Sequence, residues 1–238
     1  EMNKLPDLRF NKYSDTYNIE NINSISSLIK DGSHGTHIDE PKSNYFLLSA
    51  KNIKNGVVYF EDSDRRISKQ DFESIYKNYS LKNGDILLTI VGTIGRVAIV
   101  KNLEKIAFQR SVAFFRFENQ NSNYMYQLLN APSFQKELNS KKVVSAQPGI
   151  YLGDLSLIKL QIPTISEQNK IAEFLSSVDK KIQLLEKTEE LSILSIRTIG
   201  GFQFFVYAFP ITLIFYSILS LFESESFLSL NNLLFISL

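Results

Sequence analysis

The alternation of apolar and polar positions divides the chain into a strand-rich front and a helical rear. Val57-Val58-Tyr59-Phe60 follows Asn55-Gly56, and Ile86-Leu87-Leu88-Thr89-Ile90-Val91 follows Asn83-Gly84-Asp85. Each turn supplies positive φ beside a β-branched or aromatic run, so each predicts the start of a strand. Gly92-Thr93-Ile94-Gly95 then separates the second run from Val97-Ala98-Ile99-Val100. Continuous apolar runs joined so briefly predict buried antiparallel strands. A further strand is expected over 108–117, with Val112, Phe114 and Phe117 among its apolar residues. Short helices are expected over 124–130 and 133–139, divided by Pro132. Ile158-Lys159-Leu160-Gln161-Ile162 alternates strictly, as a half-buried strand should, and Pro163 ends it.

Thr164-Ile165-Ser166-Glu167 forms a capping box: the Thr164 hydroxyl can accept from the Glu167 amide while the Glu167 side chain reaches back. The helix predicted from it over 164–199 would span roughly 50 Å. Ile171, Leu175, Val178, Ile182 and Leu185 recur at alternating spacings of four and three, the apolar seam of a coiled coil. Glu189 and Ser192 interrupt it before Ile196 and Ile199 resume it. A stripe this long needs another helix to cover it, and the sequence has none to offer, so the partner helix is expected in another chain.

Composition narrows the class. The 238 residues contain no Cys, which excludes disulfides and Cys-based zinc sites. The 26 Lys and Arg nearly balance the 25 Asp and Glu, but residues 201–238 hold only Glu223 and Glu225 among charged types. Residues 1–200 therefore carry 26 basic and 23 acidic side chains, a net charge of +3 compatible with DNA if the positive residues share a face. The first residues form no basic-then-apolar signal peptide, which predicts no export by that route.

Gly92-Thr93-Ile94-Gly95-Arg96 lacks the glycine spacing and Lys-Ser/Thr of a phosphate loop and is followed by a strand rather than a helix. It reads as a tight β-connection, with Arg96 free to face a phosphate. His34 and His37 lie in Asp31-Gly32-Ser33-His34-Gly35-Thr36-His37, with Asp39 close by. Their spacing admits a metal site, but a recognition loop whose Ser, His and Thr side chains read base edges fits better, and no metal or other cofactor is assigned. The basic clusters at Arg65, Arg66 and Lys69, at Arg96, at Arg110, and at Lys141 and Lys142 admit a plain reading as solubilising charges. A DNA-facing reading sorts Lys69, Lys141 and Lys142 to phosphates and leaves Arg65, Arg96, Gln109 and Gln147 to compete for base edges. No nucleophile elbow, zinc-protease motif or base-methylating motif is present, so the chain is expected to be non-catalytic by itself.

Seven blocks in order carry a family likeness: Leu8-Arg9-Phe10; Lys30-Asp31-Gly32-Ser33-His34-Gly35-Thr36; Leu48-Ser49-Ala50-Lys51-Asn52-Ile53; Gly84-Asp85-Ile86-Leu87-Leu88-Thr89; Gly92-Thr93-Ile94-Gly95; Phe108-Gln109-Arg110-Ser111-Val112-Ala113; and Ile162-Pro163 with Glu167-Gln168-Asn169-Lys170-Ile171-Ala172. In combination they resemble the specificity (S) subunit of type I restriction-modification systems over about residues 5–190. The resemblance implies an α+β fold: a β-rich target recognition domain at 5–163, then a coiled-coil-forming spacer helix at 164–199. It also implies sequence-specific recognition of double-stranded DNA at a bipartite site, with methyltransferase (M) and restriction (R) subunits as partners in the cytoplasm. The family alternates two recognition domains with two helices. Here there is one of each, as in a half-subunit that would pair with a second through the helix. The DNA-facing set on this reading is Ser33, His34, Thr36, Lys51, Arg65, Arg66, Lys69, Arg96, Gln109, Arg110, Lys141, Lys142 and Gln147.

Residues 200–238 depart from the family. Gly200-Gly201 breaks the helix, and 201–222 is an uncharged, mostly apolar stretch long enough to cross a bilayer, with Pro210 inside it. Eight of the 18 Phe fall in residues 201–238 while Lys vanishes. Such residues come from T-rich codons, whereas the preceding text is A-rich. A recombination or frame junction near Gly200 is the preferred reading, ahead of a membrane span. The tail leaves two alternatives for the whole chain: a membrane-tethered coiled-coil module that binds another protein, or a silent or phase-variable cassette product that does not assemble.

Overall fold

The computed structural model describes residues 9–143 and 148–198, with side chains in the last helix given as far as Glu189. They fall into two compact units, Tyr17–Ala172 and a second made of residues 9–16 with 173–198.

In the larger unit the chain begins with β1 (Asn18–Asn21), α1 (Ile22–Ile25), β2 (Leu28–Asp31) and β3 (Tyr45–Leu48). A 3-10 turn at Ala50–Asn52 leads to β4 (Ile53–Lys54), β5 (Val57–Val58), β6 (Arg66–Ile67) and α2 (Lys69–Asn78). Then come β7 (Ile86–Thr89), β8 (Val97–Ile99), β9 (Ile106–Phe108) and β10 (Val112–Arg116). The helices α3 (Ser122–Asn130), α4 (Pro132–Ser140) and α5 (Leu152–Ser156) follow, with β11 (Lys159–Ile162) and α6 (Ile165–Thr198) last. The fold is α+β with a long C-terminal helix.

The central sheet has the order β2-β10-β7-β8 and is antiparallel throughout. Alternate residues of its middle strands enter different cores. Ile86, Leu88, Ala113 and Phe115 pack with α3, α4 and β11, while Leu87, Val112 and Phe114 pack with β3, β9 and α2. Burial on both faces explains why these strands read as unbroken apolar runs. On the second side, β6-β3-β9 forms a sheet in which β3 and β9 run parallel.

The turn at Asn55-Gly56 joins β4 to β5 with φ of +49° and +78°, as a two-residue hairpin of this hand requires. The strands on either side of residues 92–95 are antiparallel and buried, as expected. The single strand expected over 108–117 is instead β9 and β10 separated by the turn 109–111, because Phe108 pairs in parallel with Leu48 while Val112 pairs antiparallel with Thr89. The strand-dominated reading of the front also passed over α2, whose Ser68 hydroxyl caps the Asp71 N–H at 3.0 Å, and over α1 and α5.

The Glu167-Gln168 pair fastens the start of α6 to the unit. Both residues are buried. Thr164 Oγ1 accepts the Glu167 N–H at 3.4 Å, and Tyr17 donates its hydroxyl to Glu167 Oε1 at 2.9 Å. Gln168 Oε1 accepts the Asn121 N–H at 3.0 Å, while its Nε2 donates to Gln120 Oε1 at 2.7 Å and Pro163 O at 2.9 Å. A buried amide satisfied on both ends holds one orientation. Along the seam, Ile171 packs on the core of the larger unit. Leu175, Val178 and Leu185 are half-buried, and Ile182 is 38% exposed. The side chain of Ile196, all of Ile199 and the stretch 200–238 lie outside the described residues. No helix among the described residues is long and apolar enough to cross a membrane.

Candidate nucleic-acid interface

The strand ends explain where the candidate residues go. β2, β3, β7 and β9 finish at the edge where β10 begins, so the segments leaving them are tied together around the turn 109–111. Gln109 N–H donates to Leu48 O at 2.8 Å and Arg110 N–H to Ser33 O at 3.0 Å. The Ser111 hydroxyl accepts the Ala50 N–H at 3.0 Å, and its carbonyl accepts the Ile90 N–H at 2.9 Å. Ile90 O in turn accepts from Ile150, Gly92 N–H donates to Pro148 O, and Val143 N–H donates to Gly149 O. The loop 31–40, the 3-10 turn, the connection 92–96, the turn 109–111 and the segments around 143 and 149 thus form one edge. It brings together Ser33, His34, Thr36, Lys51, Arg65, Arg96, Gln109, Arg110 and Lys142.

Their electrostatic roles differ. Lys51 Nζ pairs with Asp64 at 2.7 Å. Arg65 Nε contacts Asp39 Oδ1 at 2.6 Å, and its Nη2 donates to His37 O at 2.6 Å. Arg66 lies at the other side of β6: it donates to Ser43 O at 2.9 Å, pairs with Asp62 at 2.7 Å and covers the Phe46 ring at 4.7 Å. These contacts make it an internal brace. Lys69 opens α2 and pairs with Glu73 at 3.5 Å, and Lys141 pairs with Glu137 at 3.1 Å. Arg96 donates at 3.3 Å to Ile53 O. Among the described residues the exposed Arg110 and Lys142 have no acidic partner. Gln147 lies outside the described residues.

The two imidazoles do not converge. His34 meets Asp31 at 2.6 Å and is exposed. His37 keeps only 9% of its side chain exposed, with Nε2 at 2.6 Å from Ser33 Oγ and Nδ1 at 3.4 Å from Asp71 Oδ1. Ser33, His37 and Asp71 succeed one another as in a hydrolase relay. The Nδ1 contact lacks hydrogen-bond geometry, however, and Ser33 Oγ accepts the Gly35 N–H at 3.2 Å within its own turn. This chain of groups therefore fixes the shape of the loop. No cluster of three or more acidic or histidine side chains among the described residues is placed to hold a metal ion.

Asp39, considered from the sequence beside the histidines, instead braces Arg65, and sequence reasoning missed Asp64, whose partner Lys51 lies on a separate segment. It also missed Ile38, 80% exposed, whose signal was legible: it is the only large aliphatic residue in 31–40.

The described residues thus form an α+β unit with loops gathered at one edge, followed along the chain by a long helix. Residues 37–193 match the family described as the Type I restriction modification DNA specificity domain, and the chain belongs to that family. It is 30% identical over 150 residues to the type I restriction enzyme MjaVIII specificity subunit of Methanocaldococcus jannaschii, covering 60% of this chain and 35% of that protein. It is 28% identical over 151 residues to the EcoBI specificity subunit of Escherichia coli, covering 63% and 31%. The S subunit from M. genitalium superposes with a TM-score of 0.52 at 17% identity, over 74% of this chain and 42% of that one. The chain thus spans about a third of the length of these curated relatives.

Proposed function

We propose that the chain is the sequence-specific DNA-recognition component of a type I restriction-modification complex and has no catalytic role of its own. The observation that carries this reading is the convergence on the turn 109–111, which sets His34, Thr36, Arg96, Gln109, Arg110 and Lys142 along one edge. Arginine, glutamine, histidine and threonine supply donors and acceptors for base edges, and lysine supplies phosphate charge. Methyl transfer and cleavage would then belong to the M and R subunits docked on it. The apolar seam of α6 would bring in a second copy and so a second half-site, the helix length setting their separation along the duplex. The membrane-tethered alternative rests entirely on residues 201–222, outside the described residues.

The test is a methylation readout. Cells carrying this chain with a type I methyltransferase subunit should acquire one modified bipartite motif across the genome. A competent partner that modifies no new motif would defeat the proposal. Purified complex should also lose about 10³- to 10⁵-fold in duplex affinity between 50 and 200 mM salt if it makes roughly six to ten phosphate contacts.

A further inference from the structure

Ile38 is an apolar side chain held rigidly in solvent, and the structure points to a use for it. Before it, His37 is fixed through its ring to Ser33 and through its carbonyl to Arg65. After it, the Asp39 carboxylate is held by the same Arg65, Asp39 bridges to Ile67, and Glu40 N–H donates to Arg66 O at 3.0 Å. The backbone on both sides is therefore pinned while the side chain remains 80% exposed. An apolar side chain presented from a backbone already fixed on both sides can meet a ligand without the cost of ordering that backbone.

Its surroundings select the ligand. The loop neighbours His34 and Thr36 are exposed and polar, and the Arg65 guanidinium lies immediately behind. An isolated aliphatic group among donors is not the apolar centre a protein partner would require. On base edges in the major groove, by contrast, the apolar feature is the thymine C5-methyl group, displayed beside donors and acceptors.

We infer that Ile38 is a specificity-determining residue that packs on the C5-methyl of a thymine in the target duplex. This rests on the DNA-recognition reading above and adds to it the identity of one base.

The experiment uses the full chain assembled with its methyltransferase subunit and a duplex carrying the modified motif. Each thymine is replaced in turn by deoxyuridine, which removes only the methyl group. For the native chain, one replacement should weaken binding about fourfold, the value of one buried methyl-sized group. For Ile38→Ala the same replacement should have no effect, and the two losses should not add. The thermal midpoint of Ile38→Ala should match that of the native chain, separating contact from folding. A uracil series indifferent to Ile38→Ala, or a motif without thymine, overturns this inference and leaves DNA recognition standing. So does unstacking reported by 2-aminopurine that depends on Ile38, which would make the residue a wedge between base steps. Failure to bind any specific duplex would instead defeat the reading on which the inference rests.

Discussion

Arg116 clasps Asp85 with both ends of its fork, Nε to Oδ1 and Nη2 to Oδ2, each at 2.8 Å. The pair joins the end of β10 to the start of β7, with the Asp85 side chain 2% exposed. Hydrogen bonding to Asp85 raises the Arg116 pKa above its ordinary value despite partial burial. Removing one partner leaves the other charge buried. Arg116→Met should therefore destabilise the unit by about 3–5 kcal/mol in urea unfolding, and the double variant with Asp85→Asn should cost less than the sum of the single changes. Additive losses would mean that the two groups act independently.

Gly32 packs the backbone of the loop 31–40 tightly against the segment leaving β9. A Cβ there would fall on the carbonyl oxygens of Phe108 and Gln109, which are backbone atoms and cannot swing aside. Gly32→Ala should separate the loop from the turn 109–111, with rapid amide exchange at Ser33 and Arg110 and loss of DNA specificity. An unchanged exchange pattern would count against the close packing of this edge.

The carboxylate of Asp64 gives the protein an acid-side weakness. Burial pushes its pKa up, but hydrogen bonds from Lys51, the Glu61 N–H and Asn52 outweigh this and bring it below the ordinary value of 3.8. A folded-state pKa below the unfolded one contributes stability above the unfolded value, and that contribution is lost as pH falls through the folded one. Denaturant midpoints followed downward from about pH 5 should fall more steeply for the native chain than for Asp64→Asn. Parallel curves would refute the assignment.

If the seam of α6 joins two copies, charge placed in it must separate them. Leu175→Glu with Ile182→Glu should weaken self-association by at least about tenfold in sedimentation equilibrium while leaving the Tyr17–Ala172 unit folded. A native chain that is monomeric at every concentration would remove the helix-mediated partner.

The parts of the fold legible in the sequence were those whose causes are local. Asn55-Gly56, the proline at 132 and the Thr164 cap act within a few residues, and the elements beside them were anticipated. β1 carries no apolar pattern because Asn18–Asn21 has Ile19 as its only apolar residue and owes its conformation to Leu160 and its neighbours, far along the chain. The merging of β9 with β10 has a similar origin: both are mostly apolar, the polar turn 109–111 between them is short, and it is their different partners that set them apart. The candidate cations were all readable as residue types. Which were committed to internal carboxylates was not, since Lys51–Asp64 and Arg65–Asp39 are set by the meeting of separate loops. The Glu-Gln block was recognised by family likeness, and its physical reason is the buried Gln168 amide.

Ser111 anchors the 3-10 turn by its hydroxyl and the end of β7 by its carbonyl, while Gln109 just before it holds β3 and Arg110 holds the histidine loop. If this edge reads a duplex as proposed, then with so many segments moored to one post a change of base preference in any one of them would shift the others. New preferences would then be acquired more readily by exchanging the whole module between genes than by stepwise substitution within it.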